Sequence, residues 1–77
     1  VKFELLGQIE GIEVIAVGTV IRDLGYLEKT YGPGRWRKLK GSAPCQGPQW
    51  KWQVGLITLN EAHGIGRKEI KIKRYLG

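Results

Sequence analysis

The sequence predicts an α+β domain, an N-terminal helical segment followed by a twisted antiparallel sheet of three to four strands, with the helix covering one sheet face. Three observations lead there. One apolar stripe repeats at helical spacing and stops at a Gly-Pro-Gly sequence, the periodicity beyond it changes to about two, and 77 residues leave room for one compact core. A chain this short buries only about 60% of the surface its unfolded form exposes, so residues 1–77 are read as one domain with one core.

Phe3 to Ile15 mixes Gly7 and Gly11 with apolar residues and fits either a short helix or an edge strand. Val17, Val20, Ile21, Leu24, Leu27 and Tyr31 then form one helical stripe, with Arg22, Asp23, Glu28 and Lys29 on the other side. The stripe predicts a helix over roughly residues 16–31, although Gly18 inside it costs about 1 kcal/mol relative to alanine. Gly32-Pro33-Gly34 supplies the stop. Arg35 to Lys40 reads as a strand and Gly41-Ser42-Ala43-Pro44 as a turn, continued as a loop through Cys45 to Pro48. Trp50 to Leu59 alternates as a strand, Asn60 to Gly66 reads as a loop, and Glu69 to Leu76 alternates again. In that last strand Ile70, Ile72, Arg74 and Leu76 share one side, and Glu69, Lys71, Lys73 and Tyr75 the other. The sheet face away from the helix is then expected to be the basic one.

Composition narrows the function classes. Hydrophobic residues at 42% and charged residues at 26% are ordinary globular usage, which excludes a disordered tail or a fibre. The longest apolar run, Val14-Ile15-Ala16-Val17, is far below the ~20 residues that span a bilayer and lacks the flanks of a signal peptide. These features predict a soluble domain that does not insert into membranes. A single cysteine, Cys45, rules out an internal disulfide, and with a single histidine it is too poor a set for structural zinc. No metal or cofactor is expected. The chain has no methionine and opens at Val1, which points to a processed start or to a domain excised from something longer.

Charge is distributed unevenly. Residues 1–34 carry Lys2, Arg22 and Lys29 against Glu4, Glu10, Glu13, Asp23 and Glu28, a net −2. Residues 35–77 carry ten Lys and Arg against Glu61 and Glu69, a net +8, so the whole +6 lies in the second half. Positive charge gathered this way is the footprint of a phosphate-backbone binder, the alternative being a solvated basic surface kept for solubility.

The stretch Glu61-Ala62-His63-Gly64-Ile65-Gly66-Arg67-Lys68 is where chemistry is most readily placed. Two glycines around one isoleucine can turn backbone N–H groups toward a common point, and Arg67 and Lys68 would add formal charge there. Histidine is the side-chain type whose unperturbed charge change falls near neutral pH, His63 is the only one in the chain, and Glu61 is two residues away. Metal-independent phosphodiester cleavage needs a group that takes a proton from the 2′-hydroxyl, a group that donates to the leaving oxygen, and cations for the charge that develops. The plain alternative is an exposed loop histidine. Arg35-Trp36-Arg37-Lys38-Leu39-Lys40 interleaves an indole with four cations, as an RNA contact strip would, or else buries Trp36 and lets the cations reach outward. Trp50 and Trp52 read as core more readily than as a ligand platform. Lys71, Lys73 and Tyr75 either line a cleft or form a solvated edge whose lysines deter aggregation. Cys45 shows no role.

Glu13-Val14-Ile15-Ala16 leading into Ile21-Arg22-Asp23-Leu24, then Tyr31-Gly32-Pro33-Gly34-Arg35-Trp36-Arg37-Lys38-Leu39-Lys40-Gly41, and finally Glu61 to Arg74 resemble the C-terminal domain family that ends many bacterial and cyanobacterial polymorphic toxins, the contact-dependent inhibition type among them. The resemblance covers the chain from about residue 12 onward. It departs at Thr58-Leu59-Asn60, where that family carries an aromatic pair before the alanine–histidine step. Such domains are similar to the barnase, EndoU, colicin and RelE group of metal-independent ribonucleases, with helix-then-sheet order. The resemblance implies His63 as the leading acid/base residue and Lys71 and Arg37 as phosphate stabilisers.

The expectation is therefore a toxin domain that cleaves RNA by 2′-hydroxyl attack. It would be secreted or delivered into the cytoplasm of a target bacterium and neutralised by an acidic immunity or antitoxin protein. Its catalytic set would be His63, Glu61, Lys71 and Arg37, and its RNA contacts Arg35, Trp36, Lys38, Lys40, Arg67, Lys68, Lys73 and Tyr75. A basic nucleic-acid-binding module without chemistry, or a basic domain that docks an acidic protein, are the alternatives.

Overall fold

The computed structural model describes residues 4–5, 7–46 and 52–76. Strands β1 (Glu4–Leu5) and β2 (Glu10–Val17) come first, followed by a single 3-10 turn over Gly18–Val20 and helix α1 (Leu24–Tyr31). Three long strands complete the chain: β3 (Arg37–Gln46), β4 (Trp52–Ala62) and β5 (Gly66–Leu76). All pairings are antiparallel. The sheet is four strands wide, because β1 and β2 share one edge of β3, and β4 and β5 follow on the other side. The α+β class and the antiparallel sheet are as predicted.

The order of elements is not. A strand precedes the helix, so the expected N-terminal helical segment is replaced by an edge strand, one of the two readings open for Phe3 to Ile15. Gly18, at φ +57°, takes a left-handed conformation that no helix propagates through. Val17 and Val20 consequently leave the stripe and are 55% and 76% exposed. Ile21, Leu24, Leu27 and Tyr31 keep their inward direction, and Trp36 and Ala62 complete that cluster. The helix ends where the sequence signals it, with the Gly32 N–H donating to the Glu28 carbonyl at 3.0 Å and Gly32 at φ +120°.

β3 runs straight through Gly41-Ser42-Ala43-Pro44, which corrects the turn and loop expected there. Pro44 brings no N–H to the ladder, and the neighbouring edge breaks opposite it. β1 pairs with Cys45 and Gln46, β2 begins with Glu10 opposite Ser42, and Gly7 between them sits where a Cβ would come within 3.0 Å of the Pro44 ring. β4 likewise continues through Asn60 and Glu61 to Ala62, leaving only His63-Gly64-Ile65 as the turn. Trp50 and the Gly47-Pro48 loop lie outside the described residues.

Side chains alternate across this sheet. Leu39, Ala43, Cys45, Ile57 and Leu59 fill one face, with Ile9, Ile70, Ile72 and Tyr75 packed around them. Ile9 and Ile12 from the first edge and Arg67 and Ile70 from the last line one groove, so the sheet curls over that core. Tyr75 sits opposite Gly55 on the core side, while Arg74 and Leu76 pair with Leu56 and Val54 on the other. That reverses the sides expected for Tyr75, Arg74 and Leu76, because the register shifts in β5 put the strand out of simple alternation.

The face away from the helix is thus the buried one, not the basic one. Lys38, Lys40, Lys68 and Lys71 pair with Asn60 and Thr58 on the helix side. The reason is length. An eight-residue helix spans about 12 Å, against roughly 35 Å for strands of ten or eleven residues, so most of the face it sits on stays open to water.

Close approach fixes one glycine. A Cβ on Gly41 would lie 2.5 Å from Ile9 Cγ2 and 2.9 Å from the Glu10 carbonyl oxygen, and the second of these is backbone that cannot rotate away. Gly41→Ala is expected to cost about 1–3 kcal/mol, read as a lower urea midpoint at unchanged slope. An unchanged midpoint would show that the edge strand yields without penalty.

Candidate active-site cleft at the β4–β5 turn

The β3–β4 and β4–β5 registers align Arg37, Glu61 and Arg67 in one row across three strands. Arg37 Nη2 donates to Glu61 Oε1, and Arg67 Nε donates to Oε2 at 3.3 Å. Both guanidinium side chains are close to half exposed, so such ion pairs contribute at most about 1 kcal/mol each. Their consequence is orientation. Burial alone would push the Glu61 carboxyl up, but the hydrogen bonds and charges of Arg37 and Arg67 outweigh it and hold the group below the usual glutamate range.

Its stabilising contribution is therefore present above the unfolded-state value and is lost as pH falls through the lower folded value. Urea midpoints followed from neutral to strongly acidic pH should show Glu61→Gln with a flatter acid limb than the parent. Parallel limbs would remove the linkage.

The turn itself is built by Gly64 and Gly66, at φ +83° and +94°, and is closed by the Ile65 N–H donating to the Ala62 carbonyl at 3.0 Å. This places exposed His63 at the rim of a cleft of ≈ 570 Å³ lined by Arg35, Arg37, Glu61, His63, Gly64 and Gly66. Four of the residues expected to act together are thus collected by the fold: His63, Glu61, Arg37 and Arg35, with Arg67 joined through Glu61.

The remaining expected site residues lie elsewhere. Lys71 pairs with Thr58 on the helix side, and with Lys38 it lines a different cleft, so it does not stand beside His63. Lys68 pairs with Asn60 on that side too, its Nζ 5.4 Å from the centre of the Tyr31 ring. Lys40 Nζ is 3.4 Å from Glu13 Oε2 on the adjoining edge strand, and Lys73 is exposed near the end of β5. Trp36 is fully buried and its indole N–H donates to the Gly32 carbonyl at 3.0 Å, so its ring offers no face for a base and takes the core alternative. Tyr75 is half-buried on the core face. Cys45 is buried, its Sγ donating to the Ala43 carbonyl at 3.3 Å. Burial pushes the thiol up, only partly offset by the Gly55 backbone, which makes it a packing residue.

Sequence reading missed the second cleft. Asn60, Thr58, Lys38, Lys71, Glu69 and Tyr26 line it, between α1 and the sheet. The available signal was Asn60, a polar residue in an otherwise apolar run, which reads as a loop start until β4 is seen to continue past it.

Among the described residues no group of three His, Cys, Asp or Glu side chains converges on one point, and no helix is long and apolar enough to cross a membrane. Comparison with protein-family models, with curated proteins and with solved structures finds no match for this chain. The functional reading accordingly rests on the site.

Proposed function

We propose that this chain is an endoribonuclease domain of the polymorphic-toxin kind, cleaving RNA through attack by the substrate's own 2′-hydroxyl. The observation that carries the reading is one open cleft holding His63 beside a carboxylate clamped by two guanidinium groups. Those are the parts a metal-independent phosphodiester transfer uses.

The chemistry divides among them as follows. A substrate phosphate competes with Glu61 for Arg37 and Arg67. As the arginines turn to the phosphate, the carboxylate loses the contacts that held it weakly basic and becomes able to take the 2′-hydroxyl proton. The 2′-oxygen forms its bond to phosphorus, Arg35 and Arg37 steady the phosphorane-like charge, and the phosphorus–5′-oxygen bond breaks. Protonated His63 donates to that leaving oxygen. The products are a 2′,3′-cyclic phosphate and a 5′-hydroxyl.

The lysines on the helix side of the sheet serve binding in this scheme. RNA affinity should fall steeply with salt, with a slope of roughly −0.7 per neutralised phosphate on single strands. Filter-binding or fluorescence titrations from low to physiological salt check this, and an affinity that barely moves removes the electrostatic argument. The same basic surface suits an acidic immunity or antitoxin protein, for which charge complementarity speeds association. Delivery into the cytoplasm of a target bacterium belongs to the same proposal.

One observation favours a second reading, a nucleic-acid-binding module without chemistry: Lys38, Lys68 and Lys71 lie on the helix side of the sheet and outside the lining of the His63 cleft. Incubating the chain with total RNA in EDTA, with His63→Ala alongside, separates the two. Cleavage by the parent and not by the variant supports the enzyme, and intact RNA in both supports the binder.

A further inference from the structure

The cleft between α1 and the sheet has a floor that packing alone does not explain. Asn60 is 7% exposed, and its Oδ1 has no hydrogen-bond partner among the described residues. A buried polar atom left unpaired is destabilising, and an apolar side chain of the same shape would avoid that cost. The neighbouring buried positions of β4, Ile57 and Leu59, are apolar. Asn60 also lines a space of ≈ 380 Å³, within the range that holds small ligands.

The surroundings of that amide differ by direction. Thr58 stands beside it on the same strand face, and Lys38 and Lys71 flank the pair from β3 and β5. Tyr26, 54% exposed, stands at the helix side of the space, and its ring meets the Tyr31 ring edge-on at 6.5 Å, which fixes its orientation. Glu69 sits at φ +54°, a left-handed conformation that is strained for a non-glycine residue and that concentrates at functional sites. Its carboxylate accepts the Tyr31 hydroxyl, which holds it at the same cleft.

We propose that this cleft binds one nucleotide unit, its base at Asn60 and its phosphate at Lys38 and Lys71. The Asn60 side-chain amide, at the floor of the space, meets the base edge, as planar amides do when they read bases. Tyr26 supplies a face on which the base stacks. Lys38 and Lys71 supply the phosphate charge, and Glu69 accepts a sugar hydroxyl. The site does not depend on the cleavage chemistry at His63. It would be filled either by a free mononucleotide or by one nucleotide of an RNA strand.

The test is titration of the full chain, isotope-labelled on nitrogen, with each of the four 5′-ribonucleotides, with a short single-stranded oligonucleotide and with inorganic phosphate. The Asn60 side-chain amide signals should move with at least one nucleotide or with the oligonucleotide, at about tenfold or more lower concentration than with phosphate. A response to mononucleotides assigns the site to free nucleotides, and a response to the oligonucleotide alone assigns it to a strand. Asn60→Leu should abolish that binding while leaving the urea midpoint unchanged or raised, because it removes an unpaired buried polar group. Lys71→Gln, at an exposed position, should weaken nucleotide binding about tenfold with the fold intact. All these responses should persist in His63→Ala protein, so a failure of the cleavage reading leaves them standing. Asn60 signals that respond equally to phosphate, or not at all, overturn the proposal, as does nucleotide affinity unchanged in Lys71→Gln.

Discussion

Replacing His63 with alanine is expected to lower the rate of RNA cleavage about 10²- to 10⁴-fold, the usual contribution of a positioned acid or base. RNA affinity should hardly change, because the contacts that hold the strand come from arginines and lysines that the substitution leaves alone. Rate and affinity therefore separate, which identifies an interaction made only in the transition state. The check is single-turnover cleavage with saturating enzyme, set beside direct binding to a 2′-deoxy strand that is held but not cut. A His63→Ala protein that cleaves within a few-fold of the parent would transfer the chemistry to another group. A variant that loses affinity and rate in equal measure would make His63 a binding residue.

Trp36→Ala should have the largest effect on folding. Trp36 is fully buried between Ile21, Leu27 and Ala62, its ring centre 6.1 Å from that of Tyr31, and its indole N–H satisfies the Gly32 carbonyl. Removing a buried tryptophan costs about 3–5 kcal/mol. Total stability for a domain of 77 residues is on the order of 4–12 kcal/mol. The variant should therefore be partly or wholly unfolded at room temperature, as shown by far-ultraviolet circular dichroism in urea. A loss under about 1 kcal/mol would mean that the cluster joining helix to sheet is not the anchor the packing indicates. Any variant that does fold should also cleave poorly, because Ala62 in the same cluster leads directly into His63.

What could be read from the sequence was local. Gly32-Pro33-Gly34 ends the helix through backbone chemistry confined to a few residues, and the structure ends it there. The inward stripe of Ile21, Leu24, Leu27 and Tyr31 follows from helical spacing and packs as expected. Misreadings arose where a distant partner decides the outcome. Gly41 to Pro44 has the composition of a turn, yet β4 pairs with every one of these residues and holds them extended. Pro44 is tolerated there because the edge strand breaks beside it.

The candidate site follows the same rule. Glu61, His63, Gly64 and Gly66 are neighbours in sequence and were visible together. That Arg37 would meet Glu61, and that Lys71 would not, is set by the β3–β4 and β4–β5 registers, which no local pattern encodes. Asn60 marks the second cleft only once β4 is known to bury it.

A β4–β5 turn that cuts RNA with the substrate's own 2′-hydroxyl leaves a chemical signature on its products. The most direct test is the chemical identity of the ends produced when the purified chain acts on a defined RNA in EDTA. The expected products are fragments that end in a 2′,3′-cyclic phosphate and partners that begin with a 5′-hydroxyl, with no cut at a position where the nucleotide 5′ of the scissile phosphate is replaced by its 2′-deoxy form. Fragments with 3′-hydroxyl and 5′-phosphate ends, or cleavage that appears only when a divalent metal is added, would contradict it.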